Sequence, residues 1–163
     1  MEVNYNFRII QETDNQQLAN IIRASLREYG VDKPGTVYTD PTTDDLFGLF
    51  DRSDAVYFVA ELDGIILGGG GIYPTTGLPE QCAELVKLYV DHRHRNNGIG
   101  KQLMKSCEFA ALELGYTSLY LETLPELEHA CSLYERMGYV KQSQPLGNSG
   151  HYACSLWMLK NLS

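Results

Sequence analysis

Glu84-Leu85-Val86-Lys87-Leu88-Tyr89-Val90, continuing as Asp91-His92-Arg93-His94-Arg95-Asn96-Asn97-Gly98-Ile99-Gly100-Lys101, reads as a strand that breaks into a basic turn and then becomes a helix. The helix is signalled by Ile99, Leu103, Met104, Cys107, Ala111 and Leu114, which share one face at helical spacing, and by Gly115, which ends the run. The turn therefore lies at a helix N-terminus, where unpaired N–H groups and the positive end of the helix dipole stabilise an anion. Gly98 and Gly100 carry no Cβ to hold that anion away from the backbone. The expected ligand is a phosphate group.

Spacing separates three kinds of phosphate loop. A Walker A loop needs Gly-x-x-x-x-Gly-Lys-Ser/Thr, but Arg95 stands where the first glycine belongs and Gln102 where the hydroxyl belongs. A dinucleotide fingerprint starting at Gly98 and Gly100 needs a third glycine where Leu103 stands. The remaining pattern, Arg-x-x-Gly-x-Gly at Arg95, Gly98 and Gly100, resembles the pyrophosphate loop of the GCN5-related N-acetyltransferases (GNAT), which bind acetyl-CoA. A second stretch agrees: Ala130-Cys131-Ser132-Leu133-Tyr134-Glu135-Arg136-Met137-Gly138-Tyr139 is similar to the family's Ala-x-x-Leu-Tyr-Glu-Lys-x-Gly-Phe signature. The two patterns come in the family's order, with the strand-like run Leu119-Tyr120-Leu121-Glu122-Thr123 between them. The resemblance covers about Ala55 to Leu159; the first fifty residues match only in their pattern of elements.

Working outward, 163 residues suit a single domain, 1–163, with a sizeable core. A net charge of -8 sets the chain against nucleic acid, because its basic residues are segregated only around His92 to Lys101, a patch matching one cofactor. Cys82, Cys107, Cys131 and Cys154 show no Cys-x-x-Cys spacing and read as reduced thiols. With no signal peptide or membrane-length apolar run, a cytoplasmic setting without membrane association is the expectation. The histidines show no metal-ligand spacing: His92 and His94 read as phosphate-facing or solvated, and no metal is expected.

Asn4 to Ile10 reads as a first strand, and Thr13 with Gln16 as a capping box for a helix carrying Leu18, Ile21, Ile22, Ser25, Leu26 and Tyr29 up to Gly30. An irregular stretch follows to Pro41, either a pocket-shaping loop or a connector, and Thr43 is expected to cap a short helix through Leu46 and Phe50. Ala55 to Leu62 and Ile65 to Tyr73 form a hairpin around Asp63-Gly64. The glycine run Gly68 to Gly71 reads as a bulge or a place where packing excludes side chains. Cys82 to Val90 is the central strand. After the central helix come the strand near Leu119, a helix from about Glu126 to Met137, and strands near Tyr139 to Gln142 and Tyr152 to Leu159. The order β, α, α, β, β, β, α, β, α, β, β fits an α/β sandwich, and the resemblance implies a mixed, mostly antiparallel sheet flanked by helices.

Moving an acetyl group from a thioester to an amine calls for a base, since an alkylammonium must lose a proton, and for an acid at the departing thiolate. The resemblance supplies the acid: Tyr134 occupies the motif's tyrosine, although its place on the apolar face with Leu127, Ala130, Cys131 and Met137 is also a packing position. Glu84 is the base candidate on the central strand, expected to share a face with Val86, Leu88 and Val90; a solvated strand-end glutamate is the alternative, and Glu122 is the reserve. The resemblance further implies that the backbone of Leu88 and Val90 pairs with the pantetheine arm, and that Arg95, Asn96, Asn97, Gly98, Ile99, Gly100 and Lys101 hold the pyrophosphate. The side chains of Lys87, Arg93 and Lys101 read as solvated charges. Leu127 departs from the family, which often has a cofactor-contacting asparagine there. The expectation is an acetyl-CoA-dependent N-acetyltransferase acting on a small-molecule amine, amino acid or polyamine-like, with a homodimer as an open possibility. The alternatives are an acyl-CoA-binding regulatory module and a protein or peptide N-acetyltransferase.

Overall fold

Asp63 and Gly64, at φ 51° and 82°, turn the chain back on itself and set up the hairpin of β2 (Val56–Leu62) and β3 (Ile65–Tyr73), on which the rest of the sheet is laid. The computed structural model describes residues 3–162. Before the hairpin come β1 (Asn6–Ile9), α1 (Asn15–Glu28) and the short α2 (Leu46–Leu49). After it come β4 (Cys82–Val90), α3 (Ile99–Glu113), β5 (Ser118–Thr123), α4 (Glu128–Arg136), β6 (Val140–Lys141) and β7 (Leu156–Asn161). This is the expected element order. The sheet runs β1-β2-β3-β4-β5-β7-β6, with β4 and β5 parallel and the other neighbours antiparallel.

One face of the sheet is covered by α1, whose Leu18, Ile22 and Leu26 are buried against Tyr57 and Val59 of β2. Burying each such aliphatic side chain contributes about 1.5–3 kcal/mol. The other face carries α3, through Leu103, Met104, Cys107 and Ala111, and the inward side of α4 with Tyr134. Among the described residues, no helix is long and apolar enough to cross a membrane.

Two features of β4 shape the molecule. Its parallel ladder with β5 consists of Cys82↔Ser118, Ala83↔Leu119 and Glu84↔Tyr120, and then stops although both strands continue. β5 goes on pairing with β7 as far as Thr123, so the sheet splits into a wedge beyond Glu84. The second feature is a bulge: Gly69 faces Tyr89 and Gly71 faces Val86, so β4 spends one more residue than β3, and Lys87 takes φ 53°. The Tyr57 hydroxyl donates to the Lys87 carbonyl at 2.7 Å and holds the bulge. The glycine run is what this packing demands. A Cβ on Gly69 would lie 2.5 Å from the Tyr57 ring, and one on Gly70 would lie 2.6 Å from Leu88 Cδ1.

The bulge also corrects the expected strand face. Val86 and Tyr89 pack on the α1 side, whereas Leu85, Leu88 and Val90 pack on the α3 side. An extra residue resets the two-residue alternation, so Glu84 does not share a face with Leu88 and Val90.

Three of the differences from the expected boundaries have a cause visible in the hydrogen bonding. Thr13 and Gln16 do not cap α1; a 3-10 turn, Glu12–Asp14, precedes it, and Asp14 Oδ2 accepts the Gln11 N–H at 2.7 Å while a bidentate pair with Arg8 holds the carboxylate. Thr43 does not cap α2: it is buried with its hydroxyl donating to the Val37 carbonyl, and Asp45 caps instead, accepting the Gly48 N–H. β7 begins at Leu156, because Ala153 N–H donates to the Gly35 carbonyl and draws residues 152–155 onto the irregular loop.

Candidate active site

The basic loop after β4 leads into the N-terminus of α3. Asp91 Oδ1 accepts the Arg93 N–H at 3.0 Å and starts the 3-10 turn His92–His94. Asn96 and Gly98 both take left-handed backbone, φ 66° and 78°, which swings the chain into α3. The first helical hydrogen bond runs from Gln102 N–H to the Gly98 carbonyl, so the amides of Ile99, Gly100 and Lys101 have no partner within the helix. At Gly98 an added Cβ would have open space but the wrong φ; at Gly100 it would lie 3.2 Å from Leu133.

Arg95 is placed here, but its guanidinium is occupied. Nε donates to the Val90 carbonyl, Nη1 to Glu28 and the Tyr29 hydroxyl, and Nη2 to Ser25. It straps the loop to α1, and the groups left free at the start of α3 are backbone amides. Asn97 donates to the His94 carbonyl and lies off the cavity wall, while Asn96, Gly98, Ile99, Gly100 and Lys101 line it.

That cavity, about 760 Å³, runs from the loop through the wedge past Leu88 and Val90 to a polar end beyond the last β4–β5 pair. Tyr134 stands in its wall. The ring is buried against Tyr139, and the hydroxyl has no hydrogen-bond partner among the described residues. Burial pushes its pKa above the ordinary tyrosine value.

At the polar end Glu84 is 3% exposed and accepts the Thr75 hydroxyl at 2.6 Å. Desolvation, aided by the nearby Glu122 carboxylate, raises its pKa to about 7. Glu122 itself accepts from the Ser149 and Tyr120 hydroxyls. His151 brings the third group, and one polar atom from each of Glu84, Glu122 and His151 lies within 4.8 Å of the others. Sequence spacing gave no sign of this set, since its members are 38 and 29 positions apart by subtraction of their numbers.

Lys87 corrects another expectation. It is buried rather than solvated, its Nζ lying 3.3 Å from Asp40 Oδ2, and the same oxygen is 2.8 Å from His151 Nε2. Burial lowers the Lys87 pKa, opposed by Asp40. Asp40, despite its own desolvation, is held well below the ordinary carboxylate range by His151, Lys87 and Thr42. Asp40 comes from the irregular loop, Lys87 from the β4 bulge and His151 from the loop before β7. Removing one partner of a buried ion pair costs about 3–5 kcal/mol. Asp40→Asn should therefore lower stability by roughly that amount in thermal denaturation, and Lys87→Met added to it should restore most of the loss.

The Acetyltransferase (GNAT) family model matches residues 17–139, spanning both the anion loop and the Tyr134 segment. The chain belongs to this family. An uncharacterised N-acetyltransferase of Escherichia coli K12, YjgM, is 38% identical over 151 residues, covering 91% of this chain and 90% of that protein. Human N-acetyltransferase 8 is 31% identical over 119 residues, which is 69% of this chain and 52% of that one. Among solved structures, a GNAT acetyltransferase from Staphylococcus aureus Mu50 superposes with a TM-score of 0.85 at 20% identity, covering 98% of this chain and 100% of the other. PaiA N-acetyltransferase from Thermoplasma acidophilum, solved in complex with coenzyme A, gives 0.77 at 18% identity, with 98% and 99% covered. This GNAT protein is an acetyl-CoA-dependent acetyltransferase, and its seven-stranded mixed sheet flanked by helices is the family's fold.

Proposed function

We propose that this GNAT enzyme transfers the acetyl group of acetyl-CoA to the amine of a small molecule, amino acid or polyamine-like. The observation that carries the proposal is Glu84, a buried carboxyl with a pKa of about 7 at the polar end of the cavity. Two contacts support a small acceptor over a protein segment. Asn148 N–H donates to the Thr76 carbonyl and Ala153 N–H to the Gly35 carbonyl, so three loops are bonded together around that end.

Bound acetyl-CoA supplies the thioester that is attacked. The free amides at the start of α3 hold its pyrophosphate, and the edge of β4 that β5 leaves unpaired presents backbone groups at Leu88 and Val90 to its pantetheine arm, the Val90 carbonyl being shared with Arg95. Glu84 takes one proton from the entering ammonium; Tyr134 gives one to the departing thiolate, and the second proton, shed by the nitrogen as the amide forms, restores the phenol. Near neutral pH Glu84 is about half ionised, suiting a base that must regain its charge each cycle.

The experiment is thiol release from acetyl-CoA with benzylamine, putrescine, L-lysine, glycinamide and a lysine-containing peptide. Release with small amines is expected. Binding of acetyl-CoA without release would support the regulatory module, and release with the peptide alone would support a protein acceptor. For the cofactor loop, Gly98→Val forces a β-branched residue into left-handed backbone, at a cost of about 1–2 kcal/mol, and puts bulk beside the amides. Calorimetry should show acetyl-CoA affinity falling by about tenfold or more, or about 1.4 kcal/mol. Unchanged affinity in a folded variant would remove the loop from the pyrophosphate site.

A further inference from the structure

Glu84 solves one problem and creates another. A carboxyl that is 3% exposed can take the ammonium proton, but each turnover then requires that proton to leave a buried site. The group placed to receive it is His151, whose imidazole shares the 4.8 Å cluster with Glu84 and Glu122 and whose side chain is 13% exposed. Asp40 sets its tautomer. Because Lys87 and Thr42 help keep Asp40 ionised, its carboxylate can only accept from the ring, so Nε2 carries hydrogen and Nδ1 is the basic nitrogen.

We propose that the Asp40–His151 pair is a proton relay that carries the acceptor's proton from Glu84 to solvent. The proposal rests on Glu84 being the base. In the first step an N–H bond of the ammonium breaks, the electron pair stays on nitrogen and the proton joins the Glu84 carboxylate. The Glu84 O–H then passes its proton through a bridging water to His151 Nδ1, the water handing on one proton as it accepts the other, and the imidazolium is stabilised against Asp40. Water or a buffer base takes the proton from the imidazolium and restores the neutral ring. The charged groups facing this path are Glu84 and Lys87 from β4, Glu122 from β5 and Asp40 from the loop before α2, with Thr75 and Ser149 as hydroxyl partners. Glutamine at 151 keeps polar bulk but cannot be protonated, and alanine leaves space for a diffusible base.

The test uses the best acceptor among benzylamine, putrescine, L-lysine and glycinamide, at saturating acetyl-CoA and low buffer concentration. His151→Gln and His151→Ala should each lose about 10-fold to 100-fold in kcat, within the lower range of acid–base assistance, with unchanged KM for acetyl-CoA. Added imidazole should restore the alanine variant in proportion to its concentration, and the rate should rise with buffer basicity. The double variant Asp40→Asn, Lys87→Met, confirmed as folded by its melting curve, should acquire the same buffer dependence. Parent enzyme that turns over while both His151 variants keep full kcat, or lose it without responding to imidazole or buffer, overturns the relay and leaves the proposed reaction standing. No thiol release from parent enzyme with any of these amines overturns the small-amine reading and the relay with it.

Discussion

Tyr134→Phe is expected to lower turnover by about 10²-fold to 10⁴-fold, the usual range for a lost general acid, while acetyl-CoA affinity stays within about twofold. The structure makes this a clean substitution. The ring is buried and packs edge-on to Tyr139 at 6.2 Å, and phenylalanine keeps all of that. The hydroxyl has no protein partner among the described residues, so removing it leaves no orphaned donor or acceptor, and melting temperature should hardly change. Its raised pKa keeps the phenol protonated at any working pH, as a proton donor must be before the thiolate departs. Stopped assays at saturating acetyl-CoA and acceptor would measure the loss. Acyl-thioesters of different leaving-group pKa would then assign it. The variant should be more sensitive to leaving-group basicity than the parent, because an unassisted thiolate must bear its full charge. Equal sensitivity would leave Tyr134 as a packing residue of α4.

What could be read from the chain before its structure divides by the range of the interactions involved. The anion loop is local: a strand end, two glycines and a helix start lie within eighteen consecutive residues, counting from Glu84 to Lys101, and their geometry follows from backbone chemistry alone. The glycine run was legible for a similar reason, since missing side chains imply something close by. The bulge at Lys87 was not. It arises where Tyr57, thirty positions away, captures the Lys87 carbonyl, and from there the inward and outward positions of β4 exchange. Lys87 thus looked like a solvated charge although it is buried against Asp40. Asp40 and His151 lie in segments without periodicity, 111 positions apart, and only the packing of their loops over Lys87 of β4 brings them together. The irregular stretch before Pro41 reads equally as a pocket-shaping loop or a plain connector, and its length alone does not separate the two. The caps at Thr13 and Thr43 failed because hydroxyl residues that can cap can equally bond elsewhere, as Thr43 does to Val37.

Glu84→Gln should cost about 10²-fold to 10⁴-fold in kcat/KM near pH 7 and progressively less at higher pH. In the parent, activity requires the ionised carboxylate, so the profile should rise with pH through about 7 and then level. In the variant that inflection is absent, and the rate should follow the fraction of free amine, climbing about tenfold per pH unit toward the amine's pKa near 10. The same substitution has a signature in stability that does not depend on the acceptor. The Glu84 pKa is raised by burial from 4.5 to about 7, so between those values the folded protein holds a proton that the unfolded chain has released. Stability attributable to this group therefore falls as pH rises through that window, by about 3 kcal/mol in all at about 1.4 kcal/mol per unit. Asp40 works in the opposite sense, its depressed pKa contributing stability that is lost on acidification, but parent and variant share it and it cancels in their difference. The melting temperature of Glu84→Gln relative to the parent should thus increase between pH 4.5 and 7 and hold steady above. If that difference is flat with pH, the carboxyl is not paying for its burial; if the rate profile keeps its inflection near 7 in the glutamine variant, another group, with Glu122 the nearest carboxylate, takes the proton.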